Sequence, residues 1–583
     1  VLGGDVGLEL GLRVANALKA ALDVEITPVE ALIRPSAPGR GADYQCNVAM
    51  SLAKRLGRPP RDVATAIVDH LDAADVVEPP EVAGPGFVNF TLRREWLQEQ
   101  TARLLGDERL GVPTAPADRT RPKRYAIDYG SPNVAKEMHV GHLRSSIIGD
   151  AVVRLLEFAG HEVIRHNHLG DWGTPFGMLI EHMVDQGWTA ADHTISDLNG
   201  FYQQARKKFD ADPEFADRAR RRVVALQSGD ETTLALWRGL VEESERHFAA
   251  VYELLGVKLT ADDYYGESFY NPFLADVVQE LEAKGLTSVS DGAVCVFPPG
   301  FTNREGEPLP LIVRKSDGGY GYASTDLATV RYWTRERGAT DLLYVVGTPQ
   351  AQHFRMVFAT AHAAGWLGDE HRAVHIGFGS ILGEDGKVLR TRAGGSVKLV
   401  DLLREAVDRS TAVMAERSKL DSARQEAVSR AVGIGAVKYA DLSNDREKDY
   451  VFAWDRMLAM EGNTSVYLQY ANARALSVVA RVGREAEPGT PVALAEAAER
   501  ALAVKILQLP AALTTATEEY APHKLCTHLY ETAVAFSAFW ENCPIAKAPD
   551  ERTRMSRLVL AQLTSRVLVL GLALLGIEAP DQL

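Results

Sequence analysis

Only four cysteines occur in 583 residues, Cys46, Cys295, Cys526 and Cys543, and no two form a Cys-x-x-Cys pair. That scarcity argues against a disulfide framework or a structural zinc site and fits a reducing cytosol. Long apolar runs are missing too. The nearest approach, Leu558 to Ile577, is interrupted by Gln562, Thr564, Ser565 and Arg566. A bilayer span takes about 20 apolar residues, so this stretch is expected to be a buried helix, and no membrane partner is expected. No secretory signal is visible. Positive charge is in deficit, with 64 Lys and Arg against 78 Asp and Glu and a net charge of -14. This excludes indiscriminate binding to nucleic acid, but not a local basic face, because phosphate contacts need only a few placed cations. Common catalytic signatures are absent as well. There is no Gly-x-Ser-x-Gly elbow, no Cys–His nucleophile pattern and no Walker A loop, since Gly386-Lys387 is followed by Val388. His161, His166 and His168 cluster without cysteine or carboxylate at ligand spacing, so hydrogen-bonded histidines are expected there and no metal.

What is present divides the chain. Hydrophobic residues at 46% and charged residues at 24% are ordinary for a globular protein, and the length predicts several domains. Residues up to about 115 read as an α+β module. Val6 to Leu22 has helical period, and Asp43 to Leu56 reads as a second helix. After the Ala83-Gly84-Pro85-Gly86 turn, Phe87 to Leu92 alternates as a strand does. Gly106 to Arg124, rich in Pro, Asp, Thr and Arg, reads as a linker.

From Tyr125 the pattern is strand, loop, helix, strand. Leu143, Ile147, Ala151, Leu155 and Ala159 recur at helical spacing, Gly160 stops the helix, and Val163 to Asn167 is the next strand. A βαβ opening predicts a parallel sheet with its ligand at the strand C-termini. About 175 to 305 reads as a helical, charged insertion. Strands resume at Leu342 to Gly347 and Val374 to Leu382. Beyond about 400 no strand is convincing, which predicts an all-α C-terminal part, with 401 to 450 connecting to it.

The loop between the first strand and its helix is the most informative segment: Asp128-Tyr-Gly-Ser-Pro-Asn-Val-Ala-Lys-Glu-Met-His-Val-Gly-His142. A helix N-terminus offers unpaired N–H groups and partial positive charge to phosphate. Gly141 lets a flat base approach the backbone. His139 and His142, one turn apart, could stabilise charge developing on an α-phosphate.

His-Val-Gly-His resembles the HIGH motif of class I aminoacyl-tRNA synthetases, and the preceding Ser131-Pro-Asn-Val-Ala-Lys136 narrows the resemblance to arginyl-tRNA synthetases. The likeness extends to Ala42-Asp-Tyr-Gln-Cys-Asn47, Ala83-Gly-Pro-Gly-Phe-Val-Asn-Phe90, His168-Leu-Gly-Asp-Trp-Gly173, Gly266-Glu-Ser-Phe-Tyr-Asn-Pro272, Asp449-Tyr-Val-Phe452 and Leu468-Gln-Tyr-Ala-Asn-Ala-Arg474. It implies a Rossmann-like catalytic domain with an insertion, an α+β N-terminal domain and an all-α C-terminal bundle that binds the anticodon. It implies a two-step ligation of L-arginine to tRNA(Arg), through arginyl-adenylate, with ATP as substrate, Mg²⁺ accompanying ATP and no organic cofactor. A cytoplasmic monomer is expected. A paralogue activating arginine or an analogue outside translation, or a catalytically silent tRNA-binding homologue, are the rival readings.

The resemblance also assigns roles. His139, Gly141 and His142 would contact ATP, and His139, His142 and Lys136 would carry the catalysis. Ser131, Asn133, His142, Tyr322, Asp326 and Gln350 would hold arginine, with Asp326 the main guanidinium partner and Asp128 a further candidate acid. Phe87 and Asn89 would read a tRNA loop base, and Tyr470 and Arg474 the anticodon. Two departures stand out. The family's Lys-Met-Ser-Lys-Ser loop is replaced by Gly386-Lys-Val-Leu-Arg-Thr-Arg-Ala-Gly-Gly395. Lys387, Arg390 and Arg392 there are either mobile cations near pyrophosphate or a solvated basic loop, and Lys136 would supply the missing charge. Pro175 stands where glutamine is expected. The basic residues Arg206, Lys207, Lys208, Arg218, Arg220, Arg221 and Arg222 form either an RNA-facing patch or a solvated helix face.

Overall fold

The computed structural model describes residues 4–36, 41–114, 123–188, 195–391, 394–415 and 421–583. At its centre is a five-stranded sheet, wholly parallel. Its order is Arg372–Phe378, Asp341–Gly347, Arg124–Asp128, Glu162–Leu169, Tyr264–Gly266. Strand order reverses between Arg124–Asp128 and its neighbour Asp341–Gly347. In an open parallel sheet, that reversal leaves a crevice at the strand C-termini. The helix Gly141–Phe158 follows the first of these strands, and thirteen of its residues are buried, including both Ser145 and Arg144. It approaches the sheet closely because Gly149 lacks a side chain; a Cβ there would meet Tyr129 Cβ at 2.3 Å.

An antiparallel sheet of four strands, in the order Ile33–Pro35, Tyr44–Cys46, Phe87–Phe90, Glu81–Ala83, builds the N-terminal domain with helices Val6–Leu22, Val48–Leu56 and Pro60–Asp69. The C-terminal domain is helical. Its long helix Glu551–Leu574 is apolar and long enough to cross a membrane by composition, yet Leu558, Val559, Leu560, Leu563, Val567 and Leu568 are fully buried in the protein core. Two arginines of this domain grip the N-terminal one. Arg500 donates to both carboxylate oxygens of Asp43 (2.9 and 2.6 Å), and Arg566 donates to the backbone carbonyls of Leu105 (2.9 Å) and Asp107 (2.5 Å).

Four local expectations are corrected. Asp43 to Leu56 is not one helix: Tyr44–Cys46 is a strand and the helix starts at Val48. Tyr44 and Cys46 are buried and Gln45 between them is not, a period of two that three residues are too few to reveal. The 175–305 insertion is not wholly helical: after Leu255, Tyr264–Gly266 joins the edge of the main sheet before the helices Glu267–Tyr270 and Leu274–Ala283. Thr287–Ser290 and Ala293–Val296 form a hairpin that pairs with Leu311–Arg314. All four residues of Ala293–Val296 are buried, so no alternation marked them. Tyr450–Val451, beyond 400, is a two-residue strand beside Ile381–Leu382. In the stretch read as a linker, Leu110 and Val112 are buried; residues 115–122 lie outside the described part.

Candidate active site at the switch point of the parallel sheet

The loop from Tyr129 to Val140 crosses the C-terminal end of the sheet in a strained path. Ser131 and Ala135 both have left-handed backbone (φ 50° and 63°), unusual for residues with a side chain. Hydrogen bonds to several elements hold it. Gly130 N donates to Ser145 Oγ (2.9 Å), Ser131 N to Asn167 Oδ1 (2.8 Å), Val134 N to the Gly170 carbonyl (3.0 Å), and Ala135 N to Ser244 Oγ (2.9 Å) from the insertion.

The helix start differs from a simple anion site. Gly141 N donates to His139 Nδ1 (3.0 Å), and His139 N donates to His142 Nδ1 (3.0 Å). His142 N and Leu143 N go to the carbonyls of His139 and Val140 (2.8 and 3.1 Å). The amides expected to meet phosphate are therefore engaged. Because each Nδ1 accepts an N–H, each neutral ring carries its proton on Nε2. Burial, reinforced by the Lys136 ammonium, lowers His139, and burial with His139 nearby lowers His142 to about 3. Two neutral imidazoles, ring centroids 4.2 Å apart, thus replace backbone amides as donors. Gly141 acquires a second reason for being glycine: a Cβ would meet the His139 ring at 2.6 Å.

Asn133, Lys136, Glu137, His139 and His142 line a cavity of about 580 Å³ with Asp197, Asn199, Gly200 and Gln203 of the insertion and Gly395, Ser396 and Lys398 of the downstream loop. Glu137 ties these three walls. It accepts from Lys398 Nζ (2.6 Å) and Asn199 Nδ2 (3.3 Å), while its own N–H donates to Asn199 Oδ1 (3.1 Å). The Lys136 ammonium stands 4.5 Å above the Tyr202 ring. No residue pattern in the sequence pointed to Asp197, Asn199, Gly200, Gln203 or Lys398; they arrive from elements 60 to 260 positions away, roughly, and carry no motif.

Of the candidate arginine residues, Asn133 and His142 line this cavity, while Ser131, Asp128, Tyr322, Asp326 and Gln350 are not in its lining. Tyr322 opens the helix Tyr322–Arg335 and is 76% exposed, so it is not a core aromatic. Asp326, one turn on, is bonded to His353 Nε2 at 2.6 Å. Gln350 is exposed in the short turn that ends the strand Asp341–Gly347, one turn before His353. His353 was missed by sequence reasoning, although the Gln350/His353 spacing was a usable signal. Glu267 was also missed. Burial pushes its carboxyl up to about 7, with Asp171 and Asp326 repelling its charge and His168 opposing them. Asp171 explains two of the motifs together: it accepts from Ser268 N (2.8 Å) and Ser268 Oγ (2.5 Å), pinning the Gly266-Glu267-Ser268 segment against the His168–Gly173 segment.

Other sequence candidates are placed apart from this cavity. Lys387 and Arg390 are exposed on a hairpin beyond its lining, and Arg392 lies outside the described residues. Pro175 occupies the first turn of the helix Pro175–Asp185, a position that suits proline because its missing N–H is not needed there. Much of the basic cluster is internally neutralised: Arg218 and Arg222 bind Glu181 (2.7 and 2.9 Å), Arg206 binds Asp210, Lys208 binds Asp185 and Arg220 binds Asp217. Phe87 and Asn89 share the open face of their strand, where Asn89 accepts from Gln45 Nε2 (3.0 Å). Arg474 lies between two rings, 5.5 Å from Tyr470 and 4.8 Å from Trp540.

Comparison with known proteins finds similarity along nearly the whole chain. The family model for class I (R) tRNA synthetase catalytic domains matches residues 108–454. The chain belongs to the arginyl-tRNA synthetase family. The arginyl tRNA synthetase N-terminal domain model matches residues 9–92, and the DALR anticodon binding domain model matches 468–583. An arginine–tRNA ligase of Thermobifida fusca is 54% identical over 98% of this chain and 99% of its own length, and one from a Synechococcus strain is 48% identical over 98% of each. Among solved structures, arginyl-tRNA synthetase from Plasmodium falciparum superimposes with a TM-score of 0.86 at 27% identity, covering 99% of both chains. That of Thermus thermophilus gives 0.82 at 26% identity, covering 99% of this chain and all of the other. The α/β catalytic domain flanked by an α+β N-terminal domain and a helical C-terminal domain is the architecture of this family.

Proposed function

We propose a division of labour among these residues for arginine–tRNA ligation, the activity supported by full-length similarity to arginine–tRNA ligases. The observation that carries it is the pair of neutral imidazoles, each fixed through Nδ1, converging with Lys136 on one cavity at the sheet's switch point. The α-phosphate of ATP lies against the Nε2–H groups of His139 and His142. An arginine carboxylate oxygen attacks that phosphorus, the bond to the β-phosphate oxygen breaks, and pyrophosphate leaves. A ribose hydroxyl at the tRNA 3′ end then attacks the arginyl carbonyl and AMP departs. No protein nucleophile is needed; positioning and charge stabilisation suffice. Lys136 offsets phosphate charge, with Lys387, Arg390 and Arg392 supplying further cations when their loop closes. Mg²⁺ enters with ATP, held by phosphates and water; Glu137 and Asp197, the acids in the cavity wall, already pair with Lys398.

Arginine lies over Ser131, Asn133 and His142, with its guanidinium toward Asp326, Tyr322 and Gln350. Glu267 joins Asp326 as a second carboxylate, and a guanidinium between them relieves their mutual repulsion. Asp128 takes one of arginine's cationic groups. A site built this way rejects neutral amino acids because they leave carboxylates buried and unpaired. Phe87 and Asn89 contact a tRNA loop, and Tyr470 and Arg474 the anticodon. The domains run from about 1 to 115, 116 to 400 and 451 to 583, with a connecting segment between the last two, in a cytoplasmic monomer.

The test is arginine-dependent ATP–pyrophosphate exchange with and without an arginine-accepting tRNA. Exchange with arginine alone among the amino acids, reduced at least tenfold by K136A, is the expected result. Absence of exchange in both arms would sink the catalytic reading.

A further inference from the structure

Asp128, His166 and Tyr270 form a buried chain of three polar groups, of which the proposed chemistry uses only Asp128. His166 is 1% exposed, and both of its ring nitrogens are engaged: Nδ1 is 2.8 Å from Asp128 Oδ1, and Nε2 is 2.8 Å from the Tyr270 hydroxyl. The ring is also clamped sideways. Tyr265 stacks on one face (centroids 4.9 Å apart, planes 12° apart), and Trp333 meets it edge-on at 4.8 Å. Neither translation nor rotation of the imidazole is available without moving an aromatic neighbour.

The two carboxylate oxygens of Asp128 are unequal as a result. Oδ1 takes the His166 contact, the His168 backbone N–H (3.1 Å) and a long contact from the Ser131 hydroxyl (3.5 Å). Oδ2 meets only the Ser131 hydroxyl, at 3.3 Å, among the contacts of the described residues. One oxygen is thus tied to the scaffold, and the other is left with acceptor capacity toward the Ser131 side. A carboxylate on a short side chain still has χ1 and χ2 free; anchoring one oxygen fixes where the other points.

We infer that His166, backed by Tyr270, is a positioning residue that orients Asp128 to receive a cationic group of arginine. This rests on the reading of Asp128 as an arginine contact. The polarity of the chain follows from the network: Tyr270 O–H donates to Nε2, and Nδ1–H donates to Asp128. The charge state agrees. Burial lowers His166, keeping it neutral, and although burial alone would raise Asp128, the His166 and His168 contacts hold it below the ordinary aspartate range. An ionised acceptor beside a neutral donor leaves a net negative charge for a cationic ligand, which a charged imidazole would cancel.

The test compares H166N, H166Q and H166L with D128N by arginine-dependent pyrophosphate exchange in the full-length enzyme with tRNA. Asparagine puts an amide N–H where Nδ1 stood; glutamine reaches only toward Nε2; leucine supplies neither. The KM for arginine is expected to rise about tenfold or more in H166Q and H166L and to stay within about threefold in H166N, with the KM for ATP unchanged in all three. Equal impairment in H166N and H166Q, or parallel increases in both KM values, would overturn the proposal in favour of a purely structural histidine. If D128N leaves the KM for arginine unchanged, the reading of Asp128 falls and takes the proposal with it. If D128N raises it while H166Q and H166L do not, the proposal alone fails. H166Q keeps the comparison open should H166L fail to fold.

Discussion

Gly141→Ala separates two reasons for a glycine at the start of the site helix. The new Cβ would lie 2.6 Å from His139 Cε1 and 2.8 Å from Nδ1, where real contacts are rarely under 3.4 Å. The backbone of Gly141 is helical and not left-handed, so alanine itself adopts it readily and gains up to about 1 kcal/mol in helix propensity. Only the His139 ring has to yield, and an exposed ring can swing outward cheaply. In doing so it abandons the 3.0 Å bond from Gly141 N that sets its tautomer. Loss of one preorganised donor to a developing phosphate charge costs roughly 10²- to 10³-fold in kcat, about 3–4 kcal/mol. G141A is therefore expected to unfold at the wild-type temperature or slightly above, to bind ATP with a near-normal KM, and to lose at least a hundredfold in the kcat of pyrophosphate exchange. The double variant G141A/H139A should be no worse than H139A, because both changes remove the same group. If instead G141A raises the KM for ATP with kcat intact, or if its defect persists in full in the H139A background, then glycine is there to admit the adenine base and the argument from the ring is wrong.

Three further expectations follow from other parts of the molecule. Arg144 and Asp441 form a buried ion pair (3.1 Å, side chains 1% and 0% exposed) between the site helix and the helix Ser422–Leu442; R144M should cost about 3–5 kcal/mol and lower the unfolding temperature markedly, whereas R144M/D441L should recover most of it. His528 is buried and lowered to about 3 by burial with help from Lys505. Between pH 6.5 and 3 the unfolded chain holds a proton that the folded one does not, so this stability is present at neutral pH and lost on acidification: about 2 kcal/mol by pH 5. Denaturant titrations of H528L should lack that component, and an unchanged pH slope would refute it. Y470A removes a face of the ring pair around Arg474 and should raise the KM for tRNA in aminoacylation about tenfold, leaving the KM values for ATP and arginine unaltered.

Much of the site's near side was legible because it is local. The strand, the loop from Ser131 to Lys136, and the pair His139/His142 lie within one segment, and a strand-to-helix turn brings them together however the rest of the chain packs. The apolar spacing from Leu143 to Ala159 likewise specifies a helix by itself. Tyr322 and Asp326 are one helical turn apart for the same reason. What that reading could not supply was partnership. That the Gly141 amide would be satisfied by an imidazole nitrogen depends on the His139 ring rotamer, in a backbone that pairs with Val397 and Lys398 from far along the chain. Asp326 meeting His353, and Glu267 reaching the same region, depend on which strands neighbour in the sheet.

Sequence by itself therefore determined the domain succession, the parallel-sheet class and the placing of His139 and His142 together at the start of the site helix, since periodicity and short motifs act over one or two turns of chain. Tertiary structure alone decided that Tyr264–Gly266 is an edge strand, that Lys208, Arg218 and Arg222 of the insertion are spent on Glu181 and Asp185, and that Asp128 is backed by His166. These are contacts between segments 23 to 97 residues apart, and no local pattern encodes the side chain that will stand opposite another once the chain has closed on itself.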